Sequence, residues 1–182
     1  DFRQGQLRIL VATNAFGMGI DKADVRLVVH IDIPGSVEAY YQEAGRAGRD
    51  GEPGWCELLF NFADTRTQEF FIEGSNPGYD TICDVYEALR ARRDAGDRVI
   101  CSIEQLAEYA GAKNDMAVSS VLSVLVRGRY IDRFDVPGQR IRGTELLQPN
   151  VAARDLQLDR EALAEKDRRD RDKLKRMIDW AY

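Results

Sequence analysis

The sequence predicts an α/β protein in which a partial parallel sheet with helices is followed by a smaller α+β domain and a long C-terminal helix. Three observations support this prediction. Apolar runs of strand length occupy the first part of the chain, helical periodicity begins after a polar turn at 74–79, and dense alternating charge fills 158–181. These changes of pattern divide the chain into 1–73, 74–150 and 151–182.

Three short apolar runs in the first part have the composition of buried parallel strands. They are 7–11, 27–31 and 55–60. Strands that are covered on both faces are nearly continuous in β-branched and aliphatic residues. Between the second and third runs, Ser36 can cap a helix with its hydroxyl. The order strand, loop, strand, helix, strand is typical of a doubly wound layer, in which ligands bind at the carboxyl ends of the strands.

Two glycine-containing loops lie between these elements. The first, 12–24, contains Gly17 and Gly19, where the backbone can approach a ligand or adopt a positive φ. Asp21 follows closely enough to accept a hydrogen bond from a hydroxyl. A GxG segment alone is weak evidence, and an ordinary strand-to-helix turn explains it equally well.

The second loop lies in 40–51, YYQEAGRAGRDG, and carries Arg46 and Arg49 three residues apart between glycines. A guanidinium has a permanent charge and can hold two phosphate oxygens at once, so such a loop can bring cations into a phosphate site. The alternative is that both arginines are solvated and pair with Asp50 or Glu52.

The pattern QxxGRxGR in 42–49, with VAT before the first glycine loop and IDKADVR after it, resembles motifs V and VI of superfamily 2 helicases. The flanking residues resemble those of RecQ-type DNA helicases in particular. The resemblance implies that 1–73 is the later part of the second RecA-like lobe of an ATP-dependent 3′-to-5′ DNA helicase of repair and recombination. Its partners would be single-stranded DNA and a duplex or junction.

In such helicases two lobes hold ATP and Mg²⁺ between them, and the first lobe supplies the phosphate loop. No GxxxxGK[ST] sequence occurs in this chain. We therefore expect a fragment of a longer protein, inactive on its own, with ATP and Mg²⁺ bound mainly by the missing first lobe. The chain also lacks an initiator methionine, which suits a fragment.

The resemblance assigns roles to individual residues. Arg49 would be the arginine finger that reaches the γ-phosphate, Arg46 its companion, and Gln42 would orient water or phosphate. In motif V, Gly17, Gly19 and Asp21 would lie near the ribose or the arginine loop. The hydroxyl of Thr13 would contact the nucleic-acid backbone.

The residues 74–150 predict three helices and a β-hairpin, which together make a winged helix. Ser102, followed three residues later by Gln105, is a capping box for the second helix. Pro137 and Gly138 occupy the centre of the hairpin turn. In winged helices the third helix usually enters the major groove and the hairpin lies along the backbone.

A basic cluster on and beside this hairpin could neutralise several phosphates. Arg140 and Arg142 alternate with Ile141 and are expected on the outer face of the ribbon, where acidic neighbours dilute their charge. The presumed recognition helix exposes mainly serines, at 119, 120 and 123, which suit backbone contacts better than base recognition. A winged helix that contacts protein or acts as a spacer is the alternative. The expected DNA-contacting residues of this cluster are Arg129, Arg133, Arg140 and Arg142, with Arg127 nearby.

The C-terminal segment 158–181 is helical in pattern, with one apolar stripe and a charged, solvated face. Its ending resembles the helix that enters the zinc module of RecQ-type helicases, so Zn²⁺ is expected downstream in the parent protein. The three cysteines form no CxxC pair, and we assign no metal ligand within this chain.

The overall composition limits the possible classes of protein. The net charge of −5 argues against general DNA coating, and no apolar run approaches the ~20 residues of a membrane span. We expect a soluble, cytoplasmic, nucleoid-associated protein without membrane partners, and the oligomeric state stays open. Two other hypotheses are a winged-helix DNA-binding regulator, which leaves QxxGRxGR unexplained, and a scaffold with a degenerate helicase lobe.

Overall fold

The computed structural model describes residues 2, 4–13 and 21–182. The chain forms two compact units. Unit 1 comprises 1–69 with 170–182, and unit 2 comprises 70–169. Within the described residues, no helix is long and apolar enough to cross a bilayer.

Unit 1 contains a small parallel sheet, as the sequence predicts. Strand β1 (Leu27–His30) pairs in parallel with β2 (Trp55–Leu58), so that Leu27 lies opposite Trp55 and His30 opposite Leu58. Helix α1 (Val37–Ala44) connects the two strands. It begins where the Ala39 N–H donates to the Ser36 hydroxyl at 3.1 Å, which is the expected cap. The mixed α/β fold of the prediction is thus confirmed.

The segment 7–11 does not form the predicted strand. Ile9 and Val11 are 80% and 85% exposed, and the segment has no regular secondary structure. A strand exists only when a neighbour completes its backbone hydrogen bonds, and the described residues include no strand paired to this segment. The apolar composition was therefore insufficient to predict its conformation.

Helix α2 (Thr65–Ser75), which the sequence pattern did not predict, follows a 3₁₀ turn at Phe62–Asp64. Its Gln68 side chain donates to the carbonyl oxygen of Ile33 at 2.8 Å, which attaches the helix to the turn before α1. Ile33 itself is fully buried.

Unit 2 contains the three predicted helices, α3 (Tyr79–Arg92), α4 (Ile103–Ala110) and α5 (Asp115–Arg127). The capping box forms as predicted: Ser102 accepts from the Gln105 N–H at 3.1 Å, and Gln105 accepts from the Ser102 N–H at 3.0 Å. Gly111 ends α4 in the left-handed conformation, with φ 61°.

The hairpin of unit 2 consists of β4 (Ile131–Asp135) and β5 (Arg142–Leu146). A two-residue strand, β3 (Arg98–Val99), which was not predicted, adds to β5, so the antiparallel order is β3-β5-β4. The helices and sheet enclose one core whose centre is fully buried: Ile82, Val85, Tyr86, Leu89, Val118, Val121 and Leu125.

Helix α6 (Arg160–Ala181) is the predicted long C-terminal helix. Its 22 residues begin in unit 2 and end in unit 1. The predicted stripe is buried where it carries Leu174 and Met177, while most of its charged residues are exposed. The predicted divisions at 73 and 150 differ from the limits of the compact units and stay predictions.

Candidate functional site

Helix α1 ends in a tight loop at 45–51, the arginine loop, whose shape depends on glycine. Gly48 has a φ of 67°, and a Cβ there would lie 2.6 Å from the carbonyl oxygen of Glu52. A Cβ at Gly54 would lie 2.8 Å from the backbone nitrogen of Gly48. The backbone at Gly48 therefore approaches the backbone at 52–54 so closely that a side chain at Gly48 or Gly54 would clash.

The arginine loop is hydrogen-bonded to the segment 21–26, which begins within the first glycine loop and continues to β1. The Gly48 N–H donates to the Val25 carbonyl at 2.9 Å, and the Asp50 N–H donates to the Ala23 carbonyl at 3.3 Å. Arg26 forms a bidentate ion pair with Asp50, in which Nη1 lies 2.9 Å from Oδ1 and Nη2 contacts Oδ2. The hydrogen bond from Arg26 lowers the pKa of Asp50 to about 2. The arginine loop and the described end of the first glycine loop thus lie together.

Arg49 lies at the surface of this site. Its Nε donates to the carbonyl oxygen of Gly45 at 3.2 Å, and its Nη1 lies 3.1 Å from Oδ1 of Asp21. The side chains of Arg49 and Asp21 are 39% and 93% exposed. An exposed ion pair of this kind contributes little free energy, so another anion can replace the carboxylate.

The other predicted site residues are distributed around this pair. Arg46 is half-buried, whereas Gln42 and Thr13 are exposed. Gly17 and Gly19 lie outside the described residues. The alternative in which Arg46 and Arg49 pair with Asp50 or Glu52 does not hold for Arg49, because Asp50 pairs with Arg26 and Arg49 pairs with Asp21.

A partly buried pair beside the arginine loop was missed by the sequence analysis. His30, at the end of β1, is 8% exposed, and its Nε2 lies 2.8 Å from Oε2 of Glu43 on α1. The ring of Tyr40 packs against the His30 ring, and burial raises the pKa of the Tyr40 hydroxyl. His30 is the single histidine of the chain and lies in an apolar strand, which was the available signal.

The basic residues of the hairpin differ partly from expectation. Arg142 lies on the same side of β5 as Thr144 and Leu146, which are buried, and therefore faces the helix side rather than the expected outer side. It remains half exposed and pairs with Asp135 at 3.2 Å. Arg133 and Arg142 each donate to the other's carbonyl oxygen at 3.1 Å.

Burial, followed by the charge of Arg142, lowers the pKa of Arg133. Arg133 and Arg142 lie close together toward the turn of the hairpin, where Arg140 is also exposed. Arg129 is exposed too, but it precedes β4 at the opposite end of the hairpin. The turn end of the hairpin therefore combines exposed and partly buried cations.

The serines on α5 are largely occupied within the protein. The Ser120 hydroxyl donates to the Gly74 carbonyl at 2.8 Å, and the Ser123 hydroxyl donates to the Ser119 carbonyl at 3.0 Å. Ser119 and Ser120 are half-buried, contrary to the expected exposure. Their chemistry supports packing more than recognition of DNA bases.

The described residues contain no group of three or more His, Cys, Asp or Glu side chains that could hold a metal ion. Cys56, Cys83 and Cys101 are free thiols, and burial raises the pKa of each. The described residues therefore do not fit a site for Mg²⁺ or Zn²⁺ formed by this chain alone.

Residues 1–51 match the family described as the helicase conserved C-terminal domain. The sheet, the arginine loop and this match together support a helicase C-terminal lobe in the first part of the chain.

The relatives specify the class further. The chain is 46% identical over 105 residues to a putative ATP-dependent DNA helicase Q1 of Caenorhabditis briggsae, covering 58% of this chain and 16% of the relative. It is 55% identical over 74 residues to the ATP-dependent DNA helicase RecQ of Bacillus subtilis, covering 41% of this chain and 12% of the relative. It is 38% identical over 116 residues to the ATP-dependent DNA helicase hus2/rqh1 of Schizosaccharomyces pombe, covering 63% and 9%.

These similarities support a C-terminal lobe of the RecQ helicase type in the first part of the chain. The matched part spans 16% or less of the length of each of these relatives.

Proposed function

We propose that this chain contributes half of a composite ATPase site to an ATP-dependent 3′-to-5′ DNA helicase, with Arg49 as the arginine finger. One observation carries the proposal. The guanidinium of Arg49 is held at Nε by the Gly45 carbonyl, while Nη1 meets an almost fully exposed carboxylate, that of Asp21. A backbone carbonyl thus orients Nε of Arg49, while Nη1 is paired with a carboxylate that is almost fully exposed to solvent.

The proposed chemistry is an exchange of anions. When a triphosphate bound by the other lobe approaches, its γ-phosphate oxygens replace Asp21 as the partner of Arg49. The guanidinium then stabilises the negative charge that spreads over the phosphoryl oxygens in the transition state. Arginine fingers contribute roughly 10³ to 10⁵ in rate. Arg46 adds positive charge from the same loop, and Gln42 at the end of α1 helps to orient water or phosphate.

Nucleotide and Mg²⁺ are held mainly by a phosphate-binding lobe that this chain does not contain. One feature of the sequence supports this part of the proposal: it has no GxxxxGK[ST] loop. We expect the 182-residue chain alone to hydrolyse no ATP.

Motif V is proposed to couple the nucleotide to DNA. Asp21 forms an ion pair with Arg49, and Thr13, eight residues before Asp21 in the sequence, is exposed. Movement of Arg49 toward a phosphate would release Asp21 and free this segment to change its contact with a single DNA strand. Gly17 and Gly19, which lie between Thr13 and Asp21 in the sequence, complete the proposed motif V.

Unit 2 is proposed to be a winged helix that contacts the DNA backbone of a duplex or junction. Three helices and a three-stranded antiparallel sheet support the fold. Exposed Arg140, close in sequence to Arg142, and exposed Arg129 before β4 support a contact with phosphates along the hairpin. The serines of α5 that are bonded within the protein argue for backbone contact without base recognition.

For the whole protein we propose a role in repair and recombination, association with the nucleoid, and a zinc module after α6. The family of the first part of the chain supports these proposals.

The arginine finger is tested by Arg49→Ala in the polypeptide that joins this chain to its phosphate-binding lobe. DNA-stimulated ATP hydrolysis should fall at least ~10-fold while ATP binding changes little, because the finger acts on the transition state. Arg66→Ala, at an exposed arginine on α2, is the matched control and should leave turnover unchanged. Near-normal turnover of the Arg49→Ala protein would show that Arg49 is not the finger.

A further inference from the structure

We infer that His30 is a positioning residue for Arg49, acting through Glu43. The inference rests on the proposed function of Arg49 and adds to it a buried side chain that touches neither nucleotide nor DNA. In this inference, a residue at the end of β1 fixes the position of the last turn of α1, where the arginine loop begins.

The first step of the argument is the bond itself. Nε2 of His30 lies 2.8 Å from Oε2 of Glu43, and the histidine side chain is 8% exposed. Nδ1 of His30 is buried and has no hydrogen-bond partner among the described residues. The bond to Glu43 is therefore the polar contact that fixes the ring, with Nε2 as the donor and the carboxylate as the acceptor.

The second step is the position of Glu43. It lies in the last turn of α1, two residues before Gly45, whose carbonyl oxygen accepts from Nε of Arg49. The carbonyl oxygen of Glu43 itself accepts from the N–H of Arg46 at 3.3 Å. One residue thus binds the sheet with its side chain and the first turn of the arginine loop with its backbone.

The third step is the shielding of the pair. The ring of Tyr40 lies 5.0 Å from the His30 ring, and the ring of Trp180 lies 4.6 Å from that of Tyr40. These aromatic rings reduce the access of water on one side of the histidine. A hydrogen bond in such surroundings is stronger than in water, and its loss leaves a partly buried carboxylate unpaired.

The geometry therefore predicts a defect in positioning when the bond is removed. His30→Phe keeps an aromatic ring against Tyr40 but has no donor for Glu43. His30→Gln can place a donor nitrogen close to the position of Nε2. The first variant should impair catalysis and the second should largely restore it.

The experiment measures DNA-stimulated ATP hydrolysis in the polypeptide that joins this chain to its phosphate-binding lobe. His30→Phe should lower kcat about 10-fold without changing KM for ATP, which is less than the ~100-fold loss that a 1 Å misplacement can cause. His30→Gln should recover kcat to within about threefold of the parent. If His30→Phe does not fold, Glu43→Leu and Glu43→Gln repeat the comparison from the other side of the bond, with the same expected order.

A double-mutant cycle with Arg49→Ala separates the inferred role of His30 from the proposed role of Arg49 as the finger. If His30 acts through Arg49, adding His30→Phe to Arg49→Ala causes no further loss of kcat. Losses that multiply would overturn the inference, as would an unchanged kcat in His30→Phe while Arg49→Ala is impaired. Normal turnover in Arg49→Ala would overturn the proposed finger first and the inference with it.

Discussion

Gly48 is the residue on which the shape of the arginine loop depends most directly, and Gly48→Ala tests this. The backbone there has a φ of 67°, and the added Cβ would lie 2.6 Å from the carbonyl oxygen of Glu52. Neither the left-handed backbone nor this contact with backbone suits an alanine. The substitution should therefore destabilise unit 1 and displace Arg49, which is the next residue.

Gly51 provides a matched comparison within the same loop. Its φ is 90°, but a Cβ there would meet nothing within 4 Å. Gly51→Ala should therefore show the conformational cost alone, about 1–2 kcal/mol. Gly48→Ala adds the cost of displacing backbone, about 1–3 kcal/mol by analogy with overpacked sites. We expect Gly48→Ala to lower the free energy of unfolding by at least ~1 kcal/mol more than Gly51→Ala.

The assay is urea unfolding of the chain followed by tryptophan fluorescence. The chain has two tryptophans, Trp55 and Trp180, and both belong to unit 1, so the signal reports the unit that contains the loop. Circular dichroism on the same samples follows all the helices, of which α3, α4 and α5 lie in unit 2. The change should appear in the fluorescence midpoint with an unchanged slope, because the surface exposed on unfolding stays the same.

Equal destabilisation by Gly48→Ala and Gly51→Ala would refute the reasoning, since it would mean that the contact with Glu52 costs nothing. Gly54→Ala gives an independent check, because Gly54 lies on the segment of chain that packs against Gly48. Its Cβ would lie 2.8 Å from the nitrogen of Gly48 and 2.9 Å from the Cβ of Ala47. A Gly54→Ala protein with unchanged stability would contradict the close approach of the chain at Gly48 and Gly54.

Two further predictions concern charges. The pKa of Asp50 falls from 3.8 to about 2 in the folded chain, so its carboxylate stabilises unit 1 above pH ~4 and loses this effect as the pH falls toward 2. Asp50→Asn should therefore lower the fluorescence midpoint at pH 7 but progressively less below pH 4, and an equal difference at all pH values would contradict the ion pair with Arg26. Arg140→Ala with Arg142→Ala should weaken duplex binding and reduce the slope of log K against log salt by roughly 0.9 to 1.8, the lower value applying if Asp135 already neutralises Arg142. The control pair is Arg154→Ala with Arg168→Ala, two exposed arginines elsewhere in unit 2, and an unchanged slope in the test pair would favour a protein contact for the hairpin.

Elements that depend on short-range chemistry were predicted well. The caps at Ser36 and Ser102 form because a hydroxyl and a backbone N–H three residues away lie close together in any helix start. The hairpin forms around Gly138, whose φ of 76° suits the turn that the sequence indicates. In these cases the residues that decide the structure are neighbours in the sequence.

Elements that depend on distant partners were predicted poorly. The run 7–11 has strand composition but no paired neighbour in the described residues, and β3 is only two residues long and exists because β5 pairs with it. The face of Arg142 depends on the register of β5 against β4, which the alternation around Ile141 did not reveal. Composition therefore predicted the type of element better than its partner or its orientation.

The candidate site also depends on contacts between residues that are distant in the sequence, which only the structure shows. Sequence motifs identified both loops, but they are 20 or more residues apart, and only the fold joins Gly48 to Val25 and Arg49 to Asp21. The resulting ion pair is exposed, so it orients Arg49 without committing it to a strong partner. A finger that must exchange a carboxylate for a phosphate in each cycle requires such a weak partner, because a buried pair would oppose the exchange by several kcal/mol. The polar contacts that anchor the loop are instead the Gly45 carbonyl, which accepts from Arg49, and the partly buried bond between His30 and Glu43.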